Sequence, residues 1–544
     1  MMQRTWLERY PPGVPHDIEP DSYASVVAVF DDAIARFWKM PAFNSFGSAL
    51  TFDDLDRHAN ALAAFLQNKL GVGKGDRVAV MLPNLLQYPV SILGILRAGA
   101  IVVNVNPLYT PRELLHQLND AEASVIVIFC DATPVLAQII ADTGVQHVVV
   151  AQIGDLLTAE IPNKDPDPRL KNPITFKHTL AEGKKLSPIS VAMGAEDIAF
   201  LQYTGGTTGL SKGAALTHRN IVANVLQMAV WLRPRVREGK ELVITALPLY
   251  HIFALTVNCL LFVHLGGCNV LIANPRDMPG FVTALSQVRF SIMTGVNTLY
   301  NALLHTPGFA DLDFSTLKLS VGGGAAIQKS VAERWRQVTG DLLLEGYGLS
   351  ETSPVLCVNP VTQEEHHPGI GFPLPSTDIS LRDADGDEVA EGEVGELCAR
   401  GPQVMTGYWR RPDATRDAMT ADGFFRTGDL ARRDELGRFC IVDRKKDMIL
   451  VSGFNVYPNE VEDVLAGCNA VLEAACVGIP DERSGEAVKA FIVCKPGTRF
   501  SAEEVEAYCR ERLAGYKVPK HYAFVSDLPK SPVGKILRRE LRDA

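Results

Sequence analysis

The sequence predicts an α/β protein: a large N-terminal domain of helix-covered β-sheets with a small antiparallel β subdomain, then a small α+β C-terminal domain. Three observations lead there. At 544 residues the chain exceeds what one hydrophobic core usually organises, so at least two domains are expected. Helical and strand patterns alternate over residues 50–150, as in a mostly parallel sheet covered by helices. The texture then changes near 370, and again near 445.

The elements follow in order. "DDLDRHANALAAFLQNKL" (53–70) reads as an amphipathic helix and "DRVAVML" (76–82) as a strand. "YPVSILGILRAG" (88–99) reads as a helix and "SVIVIFC" (124–130) as a strand. "GVGKGD" (71–76) evokes a dinucleotide fingerprint, but it precedes its strand and therefore reads as a turn. "IAFLQY" (198–203) is a strand feeding a glycine-rich loop, and "NIVANVLQMAVWL" (220–232) is the helix beyond it. "VITALPLY", "SIMTGVN" and "LKLSVGGGAAI" read as further strands, whose carboxyl ends would share one sheet edge, where ligands bind. From about 370 to 440, short alternating segments with turns ("RDADGDE", "RRDELGR") predict the antiparallel subdomain. A boundary falls at "IVDRKKDMILVSG" (441–453). After it, "YPNEVEDVLAG" starts a helix at Pro458, and "SAEEVEAYCRERL" carries a capping box, Ser501 with Glu504.

Composition excludes several classes. A net charge of −10 argues against a nucleic-acid partner. Any anionic ligand must be held by a local cluster. Ten scattered cysteines without a CxxC pair read as buried, reduced thiols of a cytoplasmic protein. The N-terminus lacks the apolar run of a secretory leader. Residues 242–275 contain no Asp, Glu, Lys or Arg, but Pro248, His251, Asn258, His264 and Gly266–Gly267 interrupt them. A buried strand-and-helix unit lining an apolar pocket is expected there, with peripheral membrane contact as the alternative.

"YTGGTTGLSKG" (203–213) packs glycines, hydroxyls and a lysine into a loop suited to wrapping an anion. Read as a strand-to-helix loop, it would also gain from the following helix N-terminus. A Walker loop needs Gly-Lys-Ser/Thr; here the order is Ser-Lys-Gly.

This loop resembles the phosphate-binding motif of the adenylate-forming (acyl-activating) enzymes, and the family's other motifs follow in order. They are "LPLYHIF" (247–253), "GGGAAI" (322–327), "EGYGLSET" (345–352), "GELCARGPQVMTGYW" (395–409), "GFFRTGDLA" (423–431), "DRKKDMILVSGFNVYPNEVE" (443–462) and "LPKSPVGKILRREL" (528–541). Their wording is most similar to bacterial long-chain fatty acid–CoA ligases. The resemblance implies a fatty acid substrate, ATP and CoA as co-substrates, and Mg²⁺. It also implies an N-terminal domain of 1–445 and a mobile C-terminal domain of 446–544, with the hinge at Lys446.

Site roles are carried over from the same motifs. Thr204, Gly205, Gly206, Thr207, Thr208, Gly209, Ser211 and Lys212 would hold the departing phosphates. Gly322, Gly323, Gly324, Tyr347, Gly348 and Ser350 would hold adenine, and Asp429 with Arg444 the ribose. Ser350 stands where the family often has Thr. Glu351 would bind the metal, His251 would position the acyl carboxylate, and Lys535 would reach both the carboxylate and the phosphate. Gly453 would open the pantetheine channel, and Lys517 and Lys520 would meet CoA phosphates. A ligase for aryl, short-chain or terpenoid acids, a carrier-loading module, and a homodimer stay open as alternatives. The chain ends nine residues after Lys535, which speaks against a fused carrier domain.

Overall fold

The computed structural model describes residues 4–204, 211–498 and 500–542. Two large sheets form the N-terminal part. In the first, the strands Ile198–Thr204, Ile101–Asn104, Arg77–Met81, Val125–Phe129, His147–Ala151 and Ile174–Thr175 run parallel. Their apolar runs are buried on both faces, as parallel strands beneath helices require. In the second, Pro41–Ser45, Cys268–Leu271, Leu242–Thr245, Ile292–Gly295, Leu319–Gly323 and Leu343–Gly348 are parallel neighbours in that order, with antiparallel strands at both edges. Helices such as Phe52–Leu70 and His218–Leu232 pack on these sheets, each opened by a threonine capping box.

The expected subdomain is a four-stranded antiparallel sheet, Asp378–Arg382, Gly395–Arg400, Phe425–Arg433 and Phe439–Arg444. A further sheet gathers Ile449–Val451, Phe454–Val456, Val471–Asp481, Gly485–Cys494 and His521–Phe524, with the helices Pro458–Ala466 and Ala502–Arg510. Its two hydrophobic clusters draw only on residues from Ile449 onward, and the large N-terminal cluster reaches no further than Ile441. The ten cysteines are unpaired.

The glycine-rich loop differs from the sequence reading. It joins two antiparallel strands, because Lys212–Thr217 folds back on Ile198–Thr204 with Tyr203 opposite Gly213. The physical reason is burial: Gly213 to Thr217 lie inside, so the segment completes the sheet before any helix begins. The helix starts only at His218, and Thr217 with Asn220 caps its first N–H groups. The helix therefore does not open from the loop. Residues 242–275 form the expected buried unit, with a π-helical stretch Ala254–Leu260 leading into Leu261–His264. Among the described residues, no helix is long and apolar enough to cross a membrane.

Candidate active site

The second sheet creates the pocket. Parallel register sets Gly322 beside Glu345 and Gly323 beside Gly346, so two glycine-bearing strand ends lie together at the carboxyl edge. The backbones come too close for side chains there: a Cβ on Gly348 would sit 1.9 Å from the Pro354 carbonyl oxygen. Gly323, Gly324, Tyr347, Gly348 and Ser350 line the pocket together with His251 and Lys535. Its remaining wall is apolar, supplied by Met228, Val257, Val321, Val355 and Val358.

Tyr347 is fixed by its hydroxyl, which donates to Asp429 Oδ2 at 2.6 Å. Asp429 and Arg444 are paired across adjacent strands, with Arg444 Nε 3.4 Å from Asp429 Oδ1. Burial, and then the Asp429 charge, push the Tyr347 hydroxyl pKa far up, so it stays a donor. We expect Tyr347→Phe to raise the KM for ATP about tenfold, the order of one hydrogen bond to a charged group. Steady-state kinetics with varied ATP checks this; an unchanged KM would separate the Tyr347–Asp429 bond from nucleotide binding.

Glu351 is buried in a single 3₁₀ turn, and Oε1 accepts a hydrogen bond from Tyr408 at 2.8 Å. Burial raises its carboxyl pKa, and the Tyr408 bond opposes that rise. The Lys212 ammonium lies over the Tyr408 ring, 5.1 Å from its centroid. Tyr408 thus links the end of the glycine-rich loop to Glu351. Sequence reasoning assigned Tyr408 no role although it quoted its motif; only the strand pairing of Tyr408 with Ala214 brings it there. Among the described residues no cluster of three or more His, Cys, Asp or Glu could cage a metal.

Lys535 reaches the pocket from the C-terminal unit and lies beside Gly324, where a Cβ would be 2.9 Å from Lys535 Cε. Its pKa falls to about 8, chiefly through withdrawal from solvent and then the Arg444 charge, against the pull of Asp429 and Glu351. His251 is pushed to about 3 by burial, with Lys535 adding to the effect, so its imidazole is neutral. The Phe253 N–H donates to His251 Nδ1 at 3.3 Å, which leaves the proton on Nε2.

The other expected residues lie elsewhere. Thr204 ends one hairpin strand; Ser211 follows the loop, its carbonyl oxygen 2.9 Å from His116 Nε2. Gly205, Gly206, Thr207, Thr208 and Gly209 lie outside the described residues. Gly322 lies one residue before the pocket-lining glycines, on the same strand. Lys446 falls between the Phe439–Arg444 strand and the sheet that begins at Ile449. Gly453 occupies a tight turn in the C-terminal sheet, away from the pocket lining. Lys520 Nζ meets Ser484 Oγ at 3.0 Å, and the Ser484 carbonyl accepts from Ser452 next to Gly453. Lys517 binds both Glu460 oxygens at 2.7 Å, beside the stacked Phe454–Tyr516 pair. Both lysines would exchange internal partners on meeting a phosphate.

Comparison with known proteins agrees with this architecture. The family pattern of AMP-binding enzymes matches residues 30–409, and that of the AMP-binding enzyme C-terminal domain matches residues 460–535. A long-chain-fatty-acid–CoA ligase of Salmonella typhimurium is 54% identical over 100% of this chain and 98% of its own. The protein of that name from Bacillus subtilis is 40% identical over 99% and 98%. Among solved structures, the anthranilate CoA ligase AuaEII in complex with anthranoyl-AMP superposes with a TM-score of 0.87 at 25% identity, covering 97% and 98% of the two chains. ATP-bound MatB from Rhodopseudomonas palustris gives 0.83 at 29%, covering 95% and 98%. With both patterns in order along one chain and the pocket at their meeting point, the protein belongs to the AMP-binding, adenylate-forming enzyme family.

Proposed function

We propose that this chain is an AMP-forming long-chain fatty acid–CoA ligase working through acyl-AMP in one site. The observation that carries the reading is the convergence of Lys535, Tyr347, Ser350 and His251 on a pocket whose remaining side chains are apolar. Full-length relatives at 54% identity bearing that name support it.

In the first half-reaction a carboxylate oxygen attacks the α-phosphorus of ATP; the new P–O bond forms as the bond to pyrophosphate breaks. Catalysis there is mostly positioning and charge neutralisation. Tyr347 and the glycine-bearing strand ends would hold adenine, Asp429 the ribose hydroxyls, and Thr204, Ser211 and Lys212 the leaving phosphates. Lys535 would bridge the acid and the α-phosphate, with neutral His251 orienting the acid without adding charge. Glu351 offers one carboxylate, a set that fits Mg²⁺ taking its other ligands from nucleotide phosphates and water, where it would neutralise phosphate charge. In the second half-reaction the CoA sulfur attacks the acyl carbon, forming C–S while C–O to AMP breaks. Residues 446–544 would rotate about Lys446 between the two, bringing Gly453, Lys517 and Lys520 to CoA.

The test is an acid panel from hexanoate to octadecanoate, plus benzoate, with ATP, Mg²⁺ and CoA, assayed for AMP and thioester. Long saturated acids are expected to give both products. No AMP with any acid would sink the ligase reading; AMP-ester without thioester would redirect it to carrier loading.

A further inference from the structure

The helix Asn297–Leu304 follows the strand Ile292–Gly295 and belongs to the N-terminal part. Three side chains near its start reach outward. Asn297 Oδ1 accepts from the Gln328 N–H at 3.0 Å, just past the "GGGAAI" segment. One residue on, the Thr298 hydroxyl donates to the Gly534 carbonyl oxygen at 2.9 Å. One turn further, Asn301 Nδ2 donates to the Leu472 carbonyl oxygen at 3.3 Å. The helix therefore holds the backbone just past the glycine segment that borders the pocket with one residue, and two backbone carbonyls of the C-terminal unit with the other two.

Gly534 is the residue before Lys535, and its backbone is in the left-handed region at φ +81°. A Cβ there would lie 2.7 Å from Thr298 Oγ1 and 3.1 Å from Val296 Cγ2, so the contact requires glycine. The loop is closed within itself as well: the Ser531 N–H donates to the Lys535 carbonyl at 2.7 Å, and the Lys535 N–H to Ser531 Oγ at 3.1 Å. A rigid loop is thus tied to the N-terminal helix at the peptide adjoining Lys535. Thr298 does not line the pocket, and its hydroxyl meets the C-terminal unit at the peptide adjoining Lys535.

We propose that Thr298, seconded by Asn301, is a positioning residue that docks the Lys535 loop for the first half-reaction and is released for the second. The proposal rests on the ligase reading above. A hydroxyl-to-carbonyl bond suits this use, because it adds specificity without making the docked pose too stable to leave.

The experiment compares wild type with Thr298→Val and Thr298→Ser in the separated half-reactions, alongside tryptic cleavage at Lys445–Lys446. Valine keeps the shape and removes the donor. Adenylation by Thr298→Val is expected to fall about five- to tenfold, the worth of one such bond. Thioester formation from supplied acyl-AMP should be unchanged, cleavage at the hinge faster, and Thr298→Ser should restore adenylation. Equal loss in both half-reactions, or wild-type adenylation by Thr298→Val, would overturn the docking role. A wild type that adenylates no acid would remove the ligase reading instead. The cleavage comparison would then still decide the dock, with equal rates counting against it.

Discussion

Replacing Lys535 by alanine is expected to reduce acyl-AMP formation by about a hundred- to a thousandfold, the scale of losing a pre-placed charged donor. Thioester formation from supplied acyl-AMP should largely survive. The split follows from the proposed rotation of residues 446–544: Lys535 is the pocket-lining residue that comes from the C-terminal unit, so it would be available only while that unit is docked. Pyrophosphate exchange and single-turnover transfer to CoA measure the two steps separately. Equal loss of both would refute the division of labour between the two poses.

The same lysine makes a stability prediction with a definite sign. Its pKa in the fold, about 8, lies below the ordinary 10.5, so the unfolded chain binds the extra proton between those values. Stability linked to Lys535 therefore rises with pH across that window, and the cost of holding the charge is greatest below it. Lys535→Met should melt above wild type at neutral pH, with the gap closing as pH climbs from about 8 toward 10.5. A gap that does not change with pH would assign the effect to packing.

Much of this architecture was legible because it is local. The apolar runs at 77–81 and 125–129 and the capping residue Ser501 declare their strands and helix without reference to distant parts. The hairpin after the glycine-rich loop was not legible, because "KGAALT" has no period that separates a strand from a helix approach; sheet completion decides it. Tyr408 and Glu351 are 57 positions apart, and Thr298 and Gly534 are 236 apart. Such pairs arise from topology, and a single sequence offers no pattern that joins them. Lys535 was reachable only through its motif, since a lysine in a basic C-terminus otherwise reads as solvated.

Gly453→Leu is expected to show the opposite split, with acyl-AMP formation kept and transfer to CoA lost. Gly453 follows Ser452 in a two-residue turn between Val451 and Phe454, and both have positive φ, +51° and +84°. A Cβ at Gly453 would meet no atom within 4 Å, so the first side-chain atom finds room in this pose and its cost there is backbone strain. Alanine bears that same strain, about 1–2 kcal/mol, without filling space beyond the Cβ. Comparing Gly453→Ala with Gly453→Leu therefore isolates the side chain from the turn. If the turn borders the pantetheine path, alanine keeps most CoA turnover while leucine loses it by about a hundredfold or more, because a blocked approach defeats positioning. Equal losses would assign the effect to strain in the turn, and undiminished turnover by the leucine variant would remove Gly453 from the path of the thiol.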